Sequence, residues 1–111
     1  MTEHDVLSLA IATFGERAQE EVAIEECSEL ISAISHKHRG RDHNIPEEIA
    51  DVEIMLEQLK IINGCHAKVA KIRSTKGLRL FKKILNRAGK PYVVIVRAGK
   101  PYVVIVKEKR R

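Results

Sequence analysis

Two short acidic patterns hold most of the chemistry open to this chain. The first, AIEECSELISAI, places Glu26 and Glu29 three residues apart among Ile24, Cys27, Leu30 and Ile31. The second, IPEEIADVEIML, places Glu48 and Asp51 three apart among Ile49, Ala50, Val52 and Met55. Residues three apart share one helix face, about 4.5 Å apart along the axis at about 1.5 Å per residue. A short connecting loop makes the two helices antiparallel neighbours, so the pairs can face each other across the groove between them. Four carboxylates at one place repel strongly unless something neutralises them. A hard divalent cation does so: Mg²⁺ takes oxygen ligands at about 2.1 Å and keeps waters that a phosphate can replace.

Other metals fit these residues less well. Di-iron sites in helical bundles use Glu-x-x-His on two helices, and that spacing is absent from the sequence. Zinc calls for Cys and His at characteristic spacings. His36, His38 and His43 in HKHRGRDH have no cysteine near them, and that stretch reads as a solvated loop.

The elements that must position the acids are helical. Residues 2–14 read as a first helix with Thr2 as cap and Val6, Leu7, Leu9, Ala10 and Phe14 as apolar positions. Gly15 breaks or bends it. Residues 16–38 form a long second helix on Ala18, Val22, Ala23, Cys27, Leu30, Ile31 and Ile34. Asn44 and Pro46 open a third helix running to about Ile62, with Ile49, Val52, Met55 (or Leu56), Leu59 and Ile62 inward. Asn63-Gly64 stops it. A fourth helix covers roughly residues 65–86, with Val69, Ile72, Leu80 and Ile84 (or Leu85) as a weaker stripe and Gly77 inside it. The expected fold is therefore all-α, a four-helix bundle over residues 1–86.

A different segment, 87–111, follows. RAGKPYVVIV at 87–96 recurs unchanged at 97–106. PYVVIV is β-branched and aromatic, as strands are, and the RAGK between the copies can serve as a four-residue hairpin loop. One reading is a recent duplication appended to a helical domain. The other is a pair of strands for oligomerisation, since exposed strand edges invite pairing with another chain. KEKRR at the end reads as a solvated tail.

Composition bounds the rest. With 111 residues the chain suits one domain of ordinary size. Two lone thiols, Cys27 and Cys65, suit a reducing, cytoplasmic setting. The acidic N-terminus is unlike a signal peptide, and no apolar run approaches the ~20 residues that span a bilayer. Residues 1–66 hold five Lys+Arg and fourteen Asp+Glu, 5 − 14 = −9; residues 67–111 hold fifteen and one, 15 − 1 = +14. These sum to the net +5. Two opposed fields in a small chain suggest a polyanion bound together with its cation.

EECSELISAI followed by PEEIADVEIMLEQL resembles the MazG-like family of all-α nucleoside triphosphate pyrophosphohydrolases. The family signature, E-E-x-x-E and then E-x-x-D, falls on Glu25-Glu26-Cys27-Ser28-Glu29 and Glu48-Ile49-Ala50-Asp51. The likeness covers roughly residues 5–85; the RAGKPYVVIV repeat has no counterpart in it. It implies a Mg²⁺-dependent enzyme, with Mn²⁺ as a substitute, that splits a nucleoside triphosphate into the monophosphate and pyrophosphate. It also implies that Glu26, Glu29, Glu48 and Asp51 hold the metal. A further carboxylate, Glu25, could then take the proton of the attacking water. Lys76 and Arg79 match where the family carries basic residues on its last helix, with Lys37 and Arg39 as alternatives for the phosphates. Phe14 and Gln19 are candidates for the base. The likeness further implies a homodimer or homotetramer, with the nucleotide between protomers; from the apolar runs and the confinement of basic charge to the C-terminal part, neither a membrane nor a nucleic acid is expected as partner. Two other functions compete: a basic nucleic-acid-binding or antitoxin-like module built on residues 67–111, and a non-catalytic oligomerisation domain.

Overall fold

The computed structural model describes residues 1–89 and 92–106. Among these residues, four helices and one two-stranded antiparallel sheet follow in the order α1 Glu3–Phe14, α2 Glu16–His38, α3 Ile45–Asn63, α4 His66–Ala88, β1 Tyr92–Arg97 and β2 Lys100–Ile105. Two compact units divide the chain, Met1–His66 and Ala67–Arg111. The boundary coincides with the change from net acid to net base in the sequence. Among the described residues, no helix is long and apolar enough to cross a membrane.

The first unit packs α1, α2 and α3 together, with α2 against α3 as the principal pair. Its helix ends are well specified. Thr2 and Asp5 form a reciprocal capping box at the start of α1: the Asp5 N–H donates to Thr2 Oγ1 at 3.2 Å, and the Thr2 N–H donates to Asp5 Oδ2 at 2.8 Å. Gly40 and Gly64 end α2 and α3 in the left-handed conformation, at φ 68° and 56°. After each, the next residue's N–H returns to a carbonyl five residues back, Arg41 to His36 and Cys65 to Lys60. This is the Schellman arrangement, which a side chain at the glycine would strain. The six residues 39–44 between α2 and α3 are enough only for a tight return, so α3 runs back along α2. His66 Nε2 meets Glu57 Oε1 at 2.6 Å and ties the end of this unit to α3.

The core is thin. Leu7, Ala23, Ala33 and Met55 are the buried apolar residues of the first unit, joined by the amide side chains of Gln19 and Gln58. Met55, not Leu56, is the inward residue of α3. Several positions expected to face inward do not: Leu9, Phe14, Ile31, Ile34 and Ile49 are exposed, Phe14 by 66% and Ile31 by 68%. The apolar stripes of these helices are wider than the small residues at their contact, chiefly Ala23 and Ala33, can cover.

In the second unit α4 runs through Gly77 without a break. Leu85 is buried, at 2% exposure, whereas Ile72, Leu80 and Ile84 stay largely exposed. This settles the choice between Ile84 and Leu85 and narrows the expected stripe.

The repeat forms a hairpin, with one correction. Arg97 pairs with Lys100, so the loop is the two residues Ala98 and Gly99 instead of the four of RAGK. Both have positive φ, 51° and 74°, as in the type I′ turn whose twist matches the strands it joins. The register, from Tyr92 with Ile105 to Arg97 with Lys100, has a consequence for the repeat. Side chains alternate faces along a strand. Val94 and Val96 of the first copy therefore share a face with Pro101 and Val103, while Val93 and Ile95 share the other with Tyr102 and Val104. Corresponding residues of the two copies point to opposite faces, and both faces become apolar. The expected strand start at Pro91 and the tail Lys107–Arg111 lie outside the described residues.

Candidate metal centre

Glu26 and Glu29 on α2 and Glu48 and Asp51 on α3 come together as the spacing predicts. One carboxylate oxygen from each lies within 4.8 Å of all the others. Glu29 is exposed, and the other three are half-buried. Helix periodicity stacks each i,i+3 pair on the side facing the partner helix, and the tight 39–44 return brings the two pairs level.

The cluster bears the marks of uncompensated negative charge. Glu26 Oε2 and Glu48 Oε2 are shut off from solvent and have no hydrogen-bond partner among the described residues. The carboxyls of Glu26 and Glu48 are both raised from the ordinary glutamate value. Enclosure is the largest cause for each, followed by the charges of Glu29 and Asp51. Buried polar atoms are normally paired, and a carboxylate held without a counter-charge is the costly exception. The donor set is all oxygen, from four carboxylates, and it fits a hard divalent cation. These four residues could hold a metal ion.

A groove of about 460 Å³ adjoins the cluster and is lined by Glu29, Ser32, Ala33, His36, Asp42, His43, Asn44 and Glu48. Glu29 and Glu48 thus belong to both. His36 at the end of α2 and His43 before α3 line this groove, a placement that the expectation of a solvated loop over HKHRGRDH did not announce, and residues 36–38 of that stretch belong to α2. The available signal was position: the histidines flank the return that carries one acid pair to the other.

The other expected site residues are placed as follows. Glu25 is exposed on α2 and is not one of the clustered four. Lys37 and Arg39 are exposed near the return but are not among the groove's lining residues. Lys76 and Arg79 are exposed on α4, in the second unit. Gln19 is 8% exposed, so its amide is enclosed in the first unit instead of being offered to a ligand at the surface. Cys27 and Cys65 are free thiols.

Comparison with protein-family models, with curated proteins and with solved structures gives no match for the chain. The reading of the site therefore rests on its own residues.

Proposed function

We propose that the protein is a divalent-metal-dependent nucleoside triphosphate pyrophosphohydrolase of the MazG-like kind. Its reaction would convert a ribo- or deoxyribonucleoside triphosphate and water into the monophosphate and pyrophosphate. The observation that carries this reading is the convergence of four carboxylates from E-E-x-x-E and E-x-x-D, two of them with enclosed and unpartnered oxygens. Glu26, Glu29, Glu48 and Asp51 would hold Mg²⁺, with Mn²⁺ as a substitute. When bound, such a cation offsets phosphate charge and lowers the pKa of a coordinated water. The groove gives the phosphate chain a place beside Glu29 and Glu48, where His36, His43 and Asn44 can donate hydrogen bonds to its oxygens. Glu25, exposed one residue before Glu26, is the candidate to accept the water's proton. Water oxygen would bond to the α-phosphorus as the bridging α–β bond breaks, and the electron pair would leave on pyrophosphate.

The direct test is a panel of common ribo- and deoxyribonucleoside triphosphates, each with Mg²⁺ or with EDTA, and products separated by chromatography. Monophosphate and pyrophosphate formed only with metal, and lost in Asp51→Asn, are the expected result. Full turnover by Asp51→Asn would remove the metal assignment.

A nucleic-acid-binding function is the second reading, supported by the fifteen basic residues and single acid of 67–111. It requires binding whose log K falls linearly with log salt. Undetectable binding of duplex and single-stranded DNA at low salt would eliminate it.

A further inference from the structure

The hairpin presents a self-complementary edge. The chain contains PYVVIV twice, and in the fold one copy pairs antiparallel with the other from Tyr92–Ile105 to Val96–Pro101. This sequence therefore forms a ladder with a second copy of itself, there through the inward edge of β1 and one residue out of the register that would set Val94 against Val94. A second copy of the chain supplies two more strands of the same sequence.

The register decides which edge is open. In an antiparallel ladder, directly opposed pairs alternate between hydrogen-bonded and non-bonded. Counting from the closing pair Arg97–Lys100, the bonded pairs include Ile95–Tyr102 and Val93–Val104. The backbone groups of Tyr92, Val94 and Val96 on β1, and of Pro101, Val103 and Ile105 on β2, then point away from the partner strand. Proline has no N–H, so Pro101 blunts the β2 edge at its first outward position. The β1 edge keeps all three donors.

We propose that the β1 edge pairs with β1 of a second copy about a twofold axis at Val94, giving a four-stranded antiparallel sheet in the order β2, β1, then the second copy's β1 and β2. Tyr92, Val94 and Val96 meet Val96, Val94 and Tyr92 of the other copy, so each outward donor finds an acceptor. A two-stranded hairpin is marginal in water, while three or more strands with an apolar face are not. Val93, Ile95, Tyr102 and Val104, exposed by 49%, 37%, 51% and 43%, make one such face. Charge selects the antiparallel sense. The twofold axis sets the two Arg97 residues six residues apart along the ladder, about 20 Å at ~3.4 Å per residue. That exceeds the screening length of about 8–10 Å in physiological salt. A parallel pairing would place them side by side.

Sedimentation of the full chain over a concentration series tests this, with Val94→Pro and Val103→Pro as a matched pair. Each substitution removes one outward N–H and leaves the ladder within the hairpin its own bonds. The expected result is reversible self-association that tightens as salt screens the basic units, weakened at least about tenfold by Val94→Pro and unchanged by Val103→Pro. A wild-type chain monomeric throughout would overturn the proposal. So would Val94→Pro associating like wild type, which would put the contact on the helical unit. Equal weakening by both variants would also overturn it, because loss of the hairpin and not of one edge would then be the cause.

Discussion

Glu29 of α2 and Glu48 of α3 bring carboxylate oxygens within 4.8 Å of each other and also line the wall of the adjoining groove. The two residues are nineteen positions apart in sequence, on helices joined by a six-residue return. They link a place suited to a cation with a space suited to whatever that cation helps to hold.

Metal should stabilise the first unit through these carboxylates. A ligand at about one hundred times its Kd adds about 2.7 kcal/mol, which is about 10–20 °C in Tm for a unit of this size. Scanning calorimetry with Mg²⁺ or Mn²⁺ against EDTA should show this rise. Glu48→Gln should weaken binding at least about tenfold, about 1.4 kcal/mol. A wild-type-sized rise in that variant would show that Glu48 is not a ligand.

Without metal, stability should fall as pH rises. The folded state raises the Glu26 and Glu48 carboxyls, so it holds their protons more tightly than the unfolded chain. Their contribution is fully present below the ordinary glutamate pKa and is lost as pH climbs through the raised folded values. Asp5 and Glu57 act in the opposite sense. Asp5 is lowered by its hydrogen bonds with Thr2, and Glu57 by its bond with His66, so their contributions are lost as pH falls through those lowered values. Tm measured in EDTA should therefore decline from mildly acidic towards neutral pH, and Glu48→Gln should flatten that decline. An equally steep decline in the variant would assign it to the wider acidic surface.

If the groove receives the phosphate chain, His36 and His43 should matter more than the nearby lysine and arginine. The double variant His36→Ala/His43→Ala should raise KM about tenfold, about 1.4 kcal/mol of lost binding. Lys37→Ala and Arg39→Ala, which remove side chains outside the lining, should change it by less than about twofold. Steady-state kinetics on the preferred triphosphate separates the two, and the reverse order would move the phosphates out of the groove.

Local features of the fold were legible where one residue decides the matter. Thr2 caps α1, Gly15 separates α1 from α2, Asn44 and Pro46 begin α3, and Gly64 ends it. Burial was less legible, because periodicity names a face but not what covers it. Phe14 and Ile31 lie on apolar stripes yet remain exposed, while Gln19 and Gln58 are enclosed. The turn of the hairpin is shorter than its composition suggests, for a related reason. RAGK looks like a loop by composition, but pairing Arg97 with Lys100 satisfies two more residues in the ladder and leaves only Ala98 and Gly99 to turn.

By itself the sequence determined the acid pairs, because i,i+3 spacing on a helix fixes which side chains share a face. It also determined the division of charge at residue 66 and the self-matching repeat. Only the tertiary structure decided that the two pairs meet within 4.8 Å, that Glu26 and Glu48 each enclose an unpartnered oxygen, and that His36 and His43 border the same groove. Those facts depend on how far α3 is turned and set against α2. That placement comes from the packing of the 39–44 return and the small residues between the helices, which no local pattern encodes.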